Sequence, residues 1–192
     1  MKSIHIITIL LIATLFSVVG CSVQSVPAAS NTYSTQQAAD TSATALKHYS
    51  DATLGFSFDY PYTWQLQQLG QCELIVKPKD SQINQIQIGA YPDKPTFTTF
   101  PNDIRSKMAE TSVRQLVDAE NGTSLKIIKN HSSGNKWDWE ISYSFYKGSN
   151  SIIGTQFLRE TANVVYYVTI YHSVDSPYTE GYSVITSFKM NK

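Results

Sequence analysis

The sequence predicts an α+β domain in which an antiparallel β-sheet is flanked by helices on both faces, an α/β/α sandwich. Two observations lead to this prediction. In residues 55–64 (GFSFDYPYTW), Phe56, Phe58 and Tyr60 alternate with other residues, as in a half-buried strand. From residue 101 the apolar period changes to that of an amphipathic helix, and further alternating stretches follow it.

The composition is that of one globular domain without a strong charge. The chain has 192 residues, of which 42% are hydrophobic and 16% charged, so one core of ordinary size is expected. The 15 Lys and Arg residues balance the 15 Asp and Glu residues, which argues against the basic surface that nucleic-acid binding requires. We therefore expect no nucleic-acid partner.

The first 20 residues have the pattern of a bacterial export signal. Lys2 precedes an almost wholly apolar run at residues 4–16, and Gly20 is a small residue at the cleavage position. Residues 18–21 (VVGC) resemble the lipobox, which implies cleavage before Cys21 and a diacylglycerol thioether on its sulfur. An uncleaved anchor helix is the alternative. Both interpretations tether the domain to a membrane, on its extracytoplasmic side.

The chain has two cysteines, and a thioether on Cys21 would use one of them. We therefore predict no disulfide framework. Cys72 begins an alternating stretch in which it shares a face with Leu74 and Val76, and no local basic group favours a thiolate. A buried, inert thiol is the prediction for Cys72.

Residues 21–47 have the composition of a flexible tether. They are rich in Ser, Thr, Ala and Gln and contain a single aromatic residue, Tyr33, so they bury too little apolar surface to offset the entropy of ordering. As a coil they would span roughly 25 to 30 Å. The folded domain is predicted to occupy residues 48–192.

Strands are predicted on both sides of one helix. After Pro61 ends the first strand, Trp64 re-enters the core, and residues 72–77 and 85–90 alternate around a loop at 80–84. In residues 85–90 one side of the predicted strand carries Ile86, Ile88 and Ala90, and the other side carries Gln85, Gln87 and Gly89. The helix begins near Pro101 and ends at Asn121-Gly122, and its apolar stripe is Ile104, Met108, Val113, Leu116 and Val117.

Four more strands, at residues 124–129, 136–146, 152–159 and 164–171, are predicted to form an antiparallel meander. A turn at Gly148-Ser149 places Asp138 opposite Arg159 and Trp139 opposite Leu158. The last strand is apolar on both faces, so both faces of the sheet should be covered.

A second helix, at residues 177–188, is predicted to close the domain. Ser176 would be its N-cap and Pro177 its first residue, and Tyr178, Tyr182 and Ile185 would form its buried stripe. We expect Phe58, Trp64, Trp139 and Phe188 to be buried in one core.

The opening Gly-Phe-Ser-Phe-x-Tyr-Pro-x-x-Trp (residues 55–64) and the closing Ser187-Phe188-Lys189 resemble the PsbP family and its bacterial lipoprotein relatives. The order of elements between them is also similar to that family. The resemblance implies the Mog and PsbP-type α/β/α fold, and a binding or assembly module rather than an enzyme. Members in plants and cyanobacteria act on the lumenal side of photosystem II, in calcium and chloride retention or assembly.

No phosphate loop, nucleophile elbow, zinc-protease helix or paired-cysteine spacing occurs in the sequence. Asp138 and Glu140 could form a carboxylate pair, but a charge ladder is the simpler interpretation. The histidines His48, His131 and His172 share no metal-ligand spacing, so we assign no catalytic, cofactor or metal residue. The tyrosines suit a recognition surface, although strand propensity alone also enriches them.

The function predicted from these features is a non-enzymatic, lipid-anchored extracytoplasmic binding or assembly module with no cofactor. It would contact the membrane through the lipid on Cys21 and bind a protein partner. A photosystem II accessory protein and a cell-envelope hydrolase are the alternatives. A polar cleft containing groups of perturbed pKa would favour the hydrolase, and a shallow surface with exposed tyrosines would favour the binding module.

Overall fold

The aromatic stretch at residues 55–64 forms one strand and the start of the next. In the computed structural model, which describes residues 45–92, 96–134, 136–175, 179 and 181–190, Phe56, Phe58 and Tyr60 are all buried. Pro61 ends the strand and Trp64, only 2% exposed, begins the following one. These predictions are confirmed.

The described residues contain ten strands and two α-helices. They all fall within the compact unit Thr41–Lys192. Up to the first helix, the elements are β1 (Leu46–Asp51), β2 (Phe56–Pro61), β3 (Trp64–Gln68), β4 (Glu73–Pro78), β5 (Gln85–Pro92) and α1 (Asn102–Ala119). The remaining elements are β6 (Thr123–His131), β7 (Trp139–Lys147), β8 (Asn150–Glu160), β9 (Val164–Ser173), α2 (Gly181–Ser187) and β10 (Lys189–Met190). A 3-10 turn at Phe97–Thr99 precedes α1.

The strands form two antiparallel sheets. The large sheet has seven strands in the order β3-β4-β5-β9-β8-β7-β6, and the small sheet has three in the order β1-β2-β10. The meander from β6 to β9 is as predicted, and its register places Trp139 opposite Leu158. Arg159 Nη1 lies 2.7 Å from Asp138 Oδ1, which confirms the predicted charge pair.

The two stretches that carry the family resemblance are neighbours in space. Lys189 and Met190 pair with β2, opposite Ser57 and Phe56. The ring of Phe188 stacks on that of Phe56, with centroids 5.4 Å apart. The hydroxyl of Ser187 accepts a hydrogen bond of 2.9 Å from the backbone N–H of Asp59. Strand β10 therefore completes the small sheet that β1 and β2 begin.

The buried side chains form two cores, one on each face of the large sheet. The first core lies under the small sheet and α2, and includes Phe58, Trp64 and Phe188. The second lies under α1 and includes Trp139 and Val113. Phe58, Trp64, Trp139 and Phe188 are all buried, as predicted. The prediction that they share one core is wrong, because the large sheet separates Trp139 from the other three.

The helices differ in detail from the prediction. α1 begins after Pro101 and is followed by Asn121, whose φ of 55° is in the left-handed region. α2 covers residues 181–187, and Tyr182, placed on its buried stripe, is 47% exposed, whereas Gly181, Val184 and Ile185 are buried. The predicted cap at Ser176 and the residues Pro177 and Tyr178 lie outside the described residues.

The coverage of the large sheet is uneven. α1 packs on β6 and β7 on one face, whereas α2 packs on β2 of the small sheet, which covers the opposite face. The expected helices on both faces are therefore not confirmed, since the second face is covered mainly by strands. Neither described helix has the length and hydrophobicity that a membrane span requires.

Cys72 lies just before β4 and is buried, 6% exposed, as predicted. The prediction of an inert thiol at this position is wrong for this structure, in which Cys72 is part of a disulfide and no described cysteine is free.

Candidate functional site

The part of the large sheet that α1 leaves uncovered forms the candidate site. It lies on the face of the second core, on strands β3, β4, β5 and β9, beyond the two strands on which α1 packs. We call it the amide face, and its side chains are Gln65, Gln67, Glu73, Ile75, Lys77, Gln85, Gln87, Tyr91, Tyr167 and Thr169.

The strand register places the amides of this surface in a row. Gln67 is opposite Ile75, Ile75 is opposite Gln87, and Gln87 is opposite Thr169. Directly opposed residues of antiparallel strands project to the same side, so these four side chains line one face. Their neighbours in sequence, such as Leu74 and Ile86, point into the first core. The apolar core on the other side fixes which face the glutamines occupy.

The row continues across β9 to β8, where it ends in a buried polar pair. Gln156 on β8 is opposite Thr169, and its Nε2 donates to Thr169 Oγ1 over 3.3 Å. Gln156 is 5% exposed and Thr169 3% exposed. A buried amide needs such a partner, so this pair fixes the inner end of the row while the outer glutamines remain accessible.

A tyrosine ring lies toward one end of the amide face, over a glycine. A Cβ on Gly89 would lie 2.7 Å from Tyr91 Cε2, so only glycine leaves room for this ring position. The hydroxyl of Tyr91 donates a hydrogen bond to Glu73 on β4. The ring meets that of Tyr167 edge to face, with centroids 5.9 Å apart. Tyr91 is therefore held on three sides and partly exposed on the remaining one.

The same arrangement recurs under α1, where it is covered. A Cβ on Gly154 would lie 2.4 Å from Cζ of Tyr143, and Tyr143 is fully buried in the second core. Its hydroxyl donates to that of Tyr171 over 3.3 Å. Burial raises the pKa of Tyr171 to about 12 and also raises that of Tyr143. A tyrosine over a glycine is a core feature there and a surface feature at Tyr91.

Three glutamines on the amide face have unused hydrogen-bonding capacity. Within the described part of the chain, the side chains of Gln67, Gln85 and Gln87 make no hydrogen bond, whereas Gln65 Nε2 donates weakly to the carbonyl of Lys79 over 3.3 Å. Each free amide offers two N–H donors and one carbonyl acceptor. Glu73 and Lys77 carry opposite charges, so the surface has no formal net charge.

Two cavities among the described residues are small or open. One, of about 10 Å³, lies beside Tyr171 and Phe145 and has room for about one water. An open notch of about 520 Å³ lies between Lys47, Tyr62 and Lys79. The Nζ of Lys47 lies 4.5 Å from the ring centroid of Tyr62. Neither is the polar cleft with perturbed ionisable groups that would favour a hydrolase.

The other candidate residues from the sequence are dispersed. His48 Nδ1 lies 2.7 Å from Asp59 Oδ1 at the surface, while His131 and His172 each contact the carbonyl of the next residue. Within the described ranges, no group of three potential metal ligands occurs. Asp138 is bound to Arg159 and to the backbone N–H of Glu160, as expected of a charge ladder. Cys21 lies outside the described residues.

The amide face was not assigned from sequence, although a signal for it was present. Gln65 and Gln67, and again Gln85 and Gln87, alternate with apolar residues that are buried or half-buried. Alternation shows that the glutamines face away from one core. It does not show that α1, distant in sequence, leaves this part of the sheet uncovered.

No family model and no curated protein sequence matches the chain. Among solved structures, the cyanobacterial PsbP (CyanoP) of Synechocystis is similar over 80% of this chain and 97% of its own, with a TM-score of 0.57 and 12% sequence identity. The chain has a PsbP-type fold. The expected resemblance is confirmed at the level of fold.

Further structures are similar to the PsbP-type fold of this chain. A protein of Bacteroides thetaiotaomicron matches with a TM-score of 0.50 and 16% identity, over 76% of this chain. This chain covers only 48% of that protein. The Ran-binding protein Mog1p of Saccharomyces cerevisiae matches with a TM-score of 0.48 and 6% identity, over 77% of this chain and 96% of its own.

Proposed function

We propose that this protein is a non-enzymatic binding or assembly module, anchored by lipid on the extracytoplasmic side of a bacterial membrane, and that the amide face is its contact surface. The observation that carries this proposal is the set of unbonded glutamine side chains on the same face as the held ring of Tyr91. Polar groups fixed on a rigid sheet lose little entropy when they bind a partner.

The sequence before the domain supports the membrane address. The apolar segment and VVGC at residues 18–21 are typical of a lipoprotein signal. A thioether on Cys21 would use the only other cysteine of the sequence, so the proposed anchor excludes an intrachain disulfide at Cys72, which is disulfide-bonded in this structure. Strand β1 begins at Leu46, so the residues between Cys21 and this strand are available as a tether. A tether of this length would let the domain stand away from the bilayer and present the amide face.

A binding role is favoured over catalysis by the kinds of groups present. Burial raises the pKa of three described tyrosines. Tyr143 and Tyr171 hydrogen-bond each other in the second core. Tyr166 lies in the first core and donates to the carbonyl of Leu54. The amide face instead offers glutamine amides, which are weak acids and bases but good hydrogen-bonding groups. PsbP-type likeness at 12% identity indicates fold alone, so it adds no photosystem role.

Site-specific photo-crosslinking in intact cells tests this function. A photoreactive phenylalanine analogue replaces Gln67, which is exposed on the amide face, or Gln115, which is equally exposed on α1. We expect a discrete adduct from position 67 and none from position 115. Adducts of the same yield from both positions, or from position 115 alone, would contradict the assignment of this surface.

A further inference from the structure

We propose that the amide face binds a neutral glycan strand, through stacking on Tyr91 and hydrogen bonds to the glutamines of the same face. This inference rests on the proposed binding function and names its ligand class. It follows from the type, position and charge of the side chains on this surface.

Tyr91 supplies a platform for a sugar ring. Its position over Gly89, its hydrogen bond to Glu73 and its edge contact with Tyr167 hold the ring before any ligand arrives. Sugar rings present C–H groups on their faces, and these pack against aromatic rings while the hydroxyls at their edges remain free. A ring that is already fixed loses little entropy on stacking.

The glutamines supply groups that match sugar hydroxyls. Gln85 and Gln87 lie on the same strand as Tyr91, and Gln67 lies two strands away in the row that contains Gln87. A hydroxyl both donates and accepts, and an amide side chain also does both. Since these three amides have no hydrogen bond within the described chain, they can pair with hydroxyls without breaking contacts.

Charge and shape distinguish a glycan from other ligands. Glu73 and Lys77 balance each other, and Glu73 is already bonded to Tyr91, so the surface offers no cluster of cations for a phosphate or polyanion. Protein interfaces usually have an apolar centre with anchors in pockets, whereas Ile75 is the one aliphatic side chain of this face and the sheet is open. A neutral, hydroxyl-rich strand fits these features best.

The dimensions suit a chain of several sugars. From Gln85 to Tyr91 along β5 the face extends about 20 Å, at roughly 3.4 Å per residue. From β3 to β9 it is about 14 Å wide, at roughly 4.8 Å between strands. The stacking ring is at one end and the glutamine row is toward the other. An oligosaccharide can therefore contact both, and a single sugar cannot.

Calorimetric titration of the full-length chain tests the inference, with cellohexaose and chitohexaose as probes. The chain is held in a detergent without a sugar headgroup, because such a headgroup would compete. We expect saturable binding of at least one probe. Tyr91→Ala and Gln87→Ala should each weaken it about fivefold or more, as expected for a main contact of a binding surface. Tyr91→Phe keeps the ring and should weaken it less than Tyr91→Ala.

Matched controls remove the same groups elsewhere: Tyr62→Ala, where the tyrosine is 62% exposed, and Gln115→Ala on α1. Both should bind as the unaltered chain does. Absence of saturable binding by both probes, or binding that Tyr91→Ala leaves unchanged in a folded variant, would overturn the inference. If both glycans fail while position 67 still crosslinks to a protein, the binding function stands and the ligand class is wrong. If a glycan binds but position 67 forms no adduct with a protein, the glycan inference stands and the crosslinking prediction of the proposed function is wrong.

Discussion

Two tyrosines on one face of the large sheet lie over glycines, and their surroundings give them different roles. Tyr143 over Gly154 is covered by α1 and bonded to Tyr171. Tyr91 over Gly89 remains partly exposed. The same local geometry therefore stabilises the second core in one place and presents a ring to a ligand in the other. The difference is that α1 covers Tyr143 and does not cover Tyr91, whereas both rings lie over a glycine.

The buried pair predicts a loss of stability at alkaline pH. Burial raises the pKa of Tyr171 from 10.0 to about 12, so between about pH 10 and 12 the unfolded chain releases a proton that the folded chain retains. The stabilisation is fully present below pH 10 and falls as the pH rises, by about 2 to 3 kcal/mol in all for this group. Urea unfolding at a series of pH values measures it.

The variant Tyr143→Phe/Tyr171→Phe should flatten this dependence, because neither phenylalanine ionises. Tyr62→Phe, which alters an exposed tyrosine, should leave the slope unchanged. If the double variant loses stability with pH as steeply as the unaltered chain, the pair is not the source of the effect.

At the scale of elements, β7 separates a buried face from a polar one. Trp139 is 3% exposed, meets Phe97 edge to face at 5.8 Å, and donates from Nε1 to Asn130 over 2.7 Å. Glu140, its neighbour, faces the other side and is partly exposed. The two residues therefore make a matched pair for testing the assigned faces.

Trp139→Ala should lower the free energy of unfolding by about 3 to 5 kcal/mol, since it removes a large buried ring and leaves a cavity. Glu140→Ala should lower it by well under about 1 kcal/mol. Urea unfolding of the purified full-length chain compares them. Equal costs would mean that the strand faces, and the register built on them, are wrong.

Local signals predicted the strand register well, because alternation and charge pairing act between residues that a short turn brings together. The pairing of Trp139 with Leu158 and of Asp138 with Arg159 followed from these signals. The strand predicted at residues 136–146 begins too early: β7 begins only at Trp139, and Trp137 packs on Phe188 in the first core. The bend before a strand leaves no periodic signal.

Packing between distant elements was the part that the sequence did not predict. Apolar residues on both faces of β9 indicated that both faces are covered, and Val168 and Val165 do lie in different cores. Their pattern did not show that strands would cover one face and a helix the other. It also did not show where α1 would stop covering the sheet, which is what exposes Gln67 and Gln87.

At the scale of the whole molecule, the described residues form a PsbP-type domain in which α1 leaves the amide face uncovered. The beginning and end of that domain meet in the small sheet, where Lys189 pairs with Ser57. Strand β1 is the third strand of the same sheet. The amide face lies on the large sheet, on the face opposite the first core.

Mass spectrometry of the chain from the native membrane fraction tests the anchored module most directly. The predicted result is a mature chain that begins at Cys21 and carries the added mass of an acyl thioether. Because Cys21 has a single sulfur, this modification excludes a disulfide between Cys21 and Cys72. A chain that begins at Met1, or an unacylated Cys21 linked to Cys72, would contradict the lipid anchor.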